Sequence, residues 1–102
     1  MSELSESMLL TIIAPPDLTL ELGDWLLEQK VDGYFSYRGR GHSRDSAGMS
    51  VAEQVAGRRA KEVFQIQSSA DELGELISAL KAEFTGTGLH YWVLPVYSAG
   101  RI

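Results

Sequence analysis

No cysteine occurs among the 102 residues. Its absence removes disulfide scaffolds, thiolate nucleophiles and cysteine-built zinc sites, and it fits a reducing cytoplasm. Histidine is nearly absent too, with only His42 and His90. Two histidines without cysteine are a weak basis for a metal site inside one chain, although a three-fold axis can converge copies of one residue. Long apolar runs are missing. The stretch MLLTIIA falls far short of the roughly 20 residues of a spanning helix, and acids precede it where a secretory signal carries bases. The expectation is a cytoplasmic protein that is not membrane-inserted. Positive charge is also scarce: nine Lys and Arg against fourteen Asp and Glu leave a net charge of −5. That balance argues against nucleic acid as a partner, because phosphate neutralisation needs a basic surplus.

The positive charge that is present is concentrated. Arg38, Arg40, Arg44, Arg58, Arg59 and Lys61 lie within 38–61, opposed there only by Asp45 and Glu53, so this segment carries +4 and the remainder −9. Ordinary globular composition, 44% hydrophobic and 23% charged, and a length of 102 residues predict one folded domain spanning 1–102.

Residues 8–14 are apolar on both alternating faces, which predicts a strand buried on two sides. After Pro15 and Pro16, the spacing of Leu18, Leu22, Trp25 and Leu26 predicts a helix over 17–29, N-capped by Asp17. Gly23 inside that helix implies a close packing contact. Residues 34–38 read as an aromatic strand with Phe35 and Tyr37 on one face. A Gly-, Ser- and Arg-rich stretch follows and predicts a long basic loop at about 39–58. Residues 61–67 form a third strand. Ser69 and Glu72 make a capping box ahead of the stripe Leu73, Leu76, Ile77, Leu80 and Phe84, with Gly86 as the stop. LHYWVLPVY, apolar on both faces, is the last strand.

The order βαββαβ is the split βαβ arrangement of a ferredoxin-like α+β domain: a four-stranded antiparallel sheet with two helices on one face. Two helices leave the other face open. Strands apolar on both sides imply that further copies of the chain cover it.

The ending TGTGLHYWVLPVYSAGRI resembles the close of PII signalling proteins through Thr85, Gly86, Gly88, Val93, Pro95, Val96, Arg101 and Ile102. IIAPPDL resembles that family's first strand-to-helix junction, and YRGRGHSRD the Gly-x-Gly opening its mobile T-loop. The resemblance spans the chain and is nearest to short proteobacterial PII-like proteins, some of which accompany heavy-metal efflux systems. It implies a homotrimer with inward-facing sheets and an adenine nucleotide, or another anion, in an intersubunit cleft. It also implies a partner such as a membrane transporter or efflux component, regulated through the basic loop. Carried onto this sequence, the ligand residues are Gly39, Gly41 and His42 at the loop entry and Arg58 and Arg59 at its exit. Thr85, Gly86, Thr87 and Gly88 supply backbone donors, and Arg101 meets phosphate. His90 stands where the family has its phosphate-binding lysine, and the 39–58 segment has no tyrosine to accept a uridylyl group.

Other readings stay open beside this one. CutA-like trimers share the topology and bind metal. An RNA-binding module of the same topology needs aromatics on its first and third strands, where only Phe64 is available. His42, Ser43 and Asp45 include the residue types of a hydrolase triad, but neighbours in a loop do not hold triad geometry. The expectation is a binding regulator, not an enzyme.

Overall fold

The apolar segments assemble as their periodicities require. In the structure, a computed structural model that describes residues 6–42 and 59–102, β1 (Ser7–Ala14) is followed by a short 3-10 turn at Pro16–Leu18 and α1 (Thr19–Leu27). Then come β2 (Phe35–Gly41), β3 (Arg59–Ser69), α2 (Ala70–Glu83) and β4 (His90–Pro95). The sheet order is β2-β3-β1-β4, and every neighbouring pair is antiparallel. The predicted ferredoxin-like α+β arrangement is therefore present.

The helices cover one face. Leu10, Ile12 and Ala14 of β1 and Phe64 and Ile66 of β3 are fully buried with Leu22 and Leu26 of α1, and Leu73, Leu76, Leu80 and Phe84 of the second helical segment join them. Trp25 closes edge-on against Phe84, ring centroids 5.5 Å apart, so the predicted stripes meet each other. The capping box forms: Glu72 N–H donates to Ser69 Oγ at 3.1 Å. Gly23 is buried where an added Cβ would lie 2.5 Å from Tyr34 Oη, the close contact its place in a helix implied.

Besides shifts of one or two residues at the ends of α1, β3 and β4, two boundaries differ from expectation. Asp17 is not the N-cap of α1. Pro16 opens the 3-10 turn, and Leu18 precedes the α-helix without a side-chain cap bond. The strand predicted to end at Arg38 continues through Gly41, because Gly39, Arg40 and Gly41 pair with Lys61, Ala60 and Arg59. Backbone pairing overrides the weak strand propensity of glycine there. Residues 43–58, which hold Arg58 and most of the expected basic loop, lie outside the described residues.

Candidate functional site

Because paired residues share a face, the register lays out the open side of the sheet row by row. One row is Phe35, Gln65, Thr11 and Trp92, and the next is Tyr37, Val63, Ile13 and His90. Beyond these, β2 and β3 continue past the end of β1 with Gly39 opposite Lys61 and Gly41 opposite Arg59. Within the middle rows Thr11 and Val63 are buried between their neighbours, and Gln65 Nε2 donates to Thr11 Oγ1 at 3.5 Å. The large side chains towards the edges are exposed: Phe35 80%, Tyr37 51%, Trp92 48% and Leu94 52%.

At the end of this face where the β2–β3 hairpin projects lies a groove of about 370 Å³. Ile13 and Val63 floor it, Gly39, Arg40, Gly41 and Lys61 wall it on the hairpin side, and His90 and Trp92 wall it on β4. Gly39 keeps the hairpin wall low, since a Cβ there would touch Val63 Cγ2 at 3.4 Å. The two walls sit on opposite edge strands, about 14 Å apart at three strand spacings. Lys61 on one wall, an indole on the other and an apolar floor suit a flat anion that stacks while its charge is met.

The sequence-predicted residues divide. Gly39, Gly41 and His90 come together in the groove. His42 follows β2 and is exposed, and Arg59 opens β3 opposite Gly41. Thr85, Gly86, Thr87 and Gly88 form the turn between α2 and β4, with Gly86 at φ +79° and Gly88 at φ +88°, values that favour glycine. Both threonines turn back on the helix: Thr85 Oγ1 donates to Lys81 O, and Thr87 donates to Phe84 O through N–H at 3.2 Å and Oγ1 at 2.6 Å. Arg101 is exposed in the chain after β4 and does not line the groove. Arg58 lies outside the described residues. Lys61, Arg40 and Trp92 are not among the ligand residues expected from the sequence, although Lys61 and Arg40 belong to its basic cluster. Strand parity held the signal for Lys61, which alternates with Val63, and for Trp92, which alternates with His90.

Other chemistry finds less support. Among the described residues no group of three or more His, Asp or Glu is placed to hold a metal ion. Phe64 is in the core, so β1 and β3 present no aromatic on the open face. A second depression, of about 400 Å³, lies on the helical side between Lys30 and Val31 and Glu72, Glu75 and Leu76, and it contains none of the predicted residues. No described helix is long and apolar enough to cross a membrane.

Fold and site together define a ferredoxin-like α+β protein with an open sheet face and, at one end of it, a mostly apolar groove with Lys61 and Trp92 on opposite walls. The chain belongs to the DUF3240 family, described as protein of unknown function, whose model matches residues 4–102. It is similar to the crystal structure, at 2.40 Å resolution, of a DUF3240 family protein from Shewanella baltica OS155. The two are 26% identical, with a TM-score of 0.77 over 96% of this chain and 98% of that one. None of the curated proteins compared with the chain matches it.

Proposed function

We propose that this protein is a divergent PII-like regulator acting in the cytoplasm: it binds a small anionic effector in the groove on its open face and controls a partner through the basic segment between β2 and β3. The observation that carries the reading is the groove itself, which unites Gly39, Gly41 and His90, chosen from sequence alone, with Lys61, Arg40 and Trp92. An adenine nucleotide fits that chemistry, with the base against Trp92 and the phosphates towards Lys61 and the hairpin glycines. Effector binding at the foot of the basic segment changes what that segment docks on. The favoured partner is a membrane transporter or efflux component with an acidic docking surface.

The exposed apolar face supports assembly as a homotrimer with the open faces inward, since Phe35, Tyr37, Trp92 and Leu94 form a patch that soluble monomers rarely leave uncovered. Catalysis is not part of the proposal, because the groove offers no nucleophile paired with a base.

Thermal-shift titration tests the reading, with ATP, ADP, AMP, cyclic AMP and bicarbonate in one series and zinc, copper and cobalt in another. An effector at about 100 times its dissociation constant adds roughly 2.7 kcal/mol, a rise on the order of 10 °C for a domain of this size. A nucleotide or bicarbonate shift that Lys61→Ala abolishes is the expected result. A shift with metals alone favours the CutA-like alternative and defeats the anion site.

A further inference from the structure

We propose that the outer surface of α1 is a docking site for a cationic amphipathic helix carried by another protein. The site lies on the helical side of the sheet, away from the groove, so it goes beyond the anion-site reading and does not depend on it.

A helix packed on a sheet ordinarily turns polar residues outward. α1 departs from this at two places, since Leu20 is 82% exposed and Leu27 64%. Residues seven apart fall about 20° apart around a helix and roughly 10 Å apart along it, so the two leucines stand on one flank. The rest of the helix is committed to the fold: Leu22, Gly23 and Leu26 are buried, and Trp25 closes on Phe84. In the same layer α2 exposes no large hydrophobic side chain. The two leucines therefore belong to α1 and are not a general property of the helical side.

The border of the pair carries one sign of charge. Glu21, Asp24 and Glu28 are exposed and follow one another at spacings of three and four, which stacks them on successive turns beside the leucines. Residues 16–29 contain no lysine or arginine, and among the described residues none of the three carboxylates is in an ion pair. Like charges at these spacings disfavour a helix, and this one also lacks a side-chain N-cap bond. A partner that sets lysine or arginine beside the carboxylates removes the repulsion while it covers the leucines.

The depression of about 400 Å³ on the helical side begins two residues beyond Leu27, at Gln29. Val31, Leu76 and Ala79 give it an apolar lining, and Glu72 and Glu75 bring two carboxylates against Lys30 alone. An apolar lining with carboxylates at its border takes the stem and the cation of a lysine or arginine side chain.

This chemistry selects the occupant. Two apolar points two turns apart match apolar residues at i and i+7 of a partner helix, with its basic residues meeting the carboxylates. The same carboxylates repel anionic lipid headgroups and nucleic-acid phosphates.

Nuclear magnetic resonance titration of the full-length protein tests the site. The probe is a synthetic peptide of about 14 residues, four helical turns, with leucine on one face and lysine on the other; its control carries glutamate for lysine. The lysine peptide is expected to shift the amides of residues 20–28, and the glutamate peptide is not. The double substitution Leu20→Ser with Leu27→Ser should weaken binding at least about tenfold. Asp24→Asn with Glu28→Gln should weaken it about threefold or more and reduce its dependence on salt. Native mass should be the same for the wild type and both variants. No binding of the lysine peptide, equal binding of the two peptides, shifts confined to the open sheet face, or binding that the leucine variant leaves unchanged overturns the proposal. A leucine variant of lower oligomeric mass makes a second copy the occupant, and phosphatidylserine vesicles held through the same leucines make it a membrane; either result also overturns it. Should the leucine variant not fold, the carboxylate variant decides.

Discussion

Gly23 and Tyr34 form a tight contact in the helix–sheet layer. The Tyr34 ring is held against Phe64 at a centroid distance of 5.4 Å, so its hydroxyl has little freedom to move away from a new Cβ 2.5 Å distant. Alanine gains about 1 kcal/mol of helix propensity over glycine, but overpacking costs typically 1–3 kcal/mol, so the clash is expected to win. Gly23→Ala should lower stability by about 1 kcal/mol, and Tyr34→Phe should remove most of that penalty when combined with it, as a double-mutant cycle by urea melts would register. Ser69→Ala loses the cap of α2 and should cost about 1 kcal/mol in the same assay. Both positions were legible in the sequence, because a glycine inside an amphipathic helix and a Ser-x-x-Glu box are local signals with local causes.

At the level of elements, the sequence revealed the order of strands and helices, since apolar periodicity sets that order. It did not reveal how far the β2–β3 hairpin extends. Arg-Gly-Arg-Gly looks like a turn by propensity, yet Gly39 to Gly41 are strand because Arg59 to Lys61 lie across from them. The start of the first helix was misread for a similar reason: Asp17 is a good capping residue, but the fixed φ of Pro16 places it inside a 3-10 turn. The α2–β4 turn depends on left-handed backbone at Gly86 and Gly88. Gly86→Ala or Gly88→Ala should each cost about 1 kcal/mol, because a Cβ disfavours positive φ even where space is open. A thermal melt showing no loss for either variant would contradict that account of the turn.

For the whole molecule, two-sided apolar strands announced an open face that wants covering, and the structure places Trp92, Tyr37 and Phe35 on it. The site was only partly legible. Gly39, Gly41 and His90 converge because the strand order brings both edge strands to one end of the same face, an arrangement no spacing along the chain displays. Lys61 and Trp92 were not assigned to the site for the same reason, each being informative about it only in its row. Their roles separate: Lys61→Ala should weaken anion binding while leaving assembly intact, whereas Trp92→Ala should weaken both.

The central claim is that the open-face groove is an anion site, and direct titration of ATP into the purified protein by calorimetry tests it most directly. Saturable binding with one site per chain, weakened about tenfold or more by Lys61→Ala in line with the loss of one charge-assisted contact, is the predicted result. Binding that Lys61→Ala leaves unchanged, or no heat from ATP, ADP, AMP, cyclic AMP or bicarbonate at millimolar concentration, would contradict it.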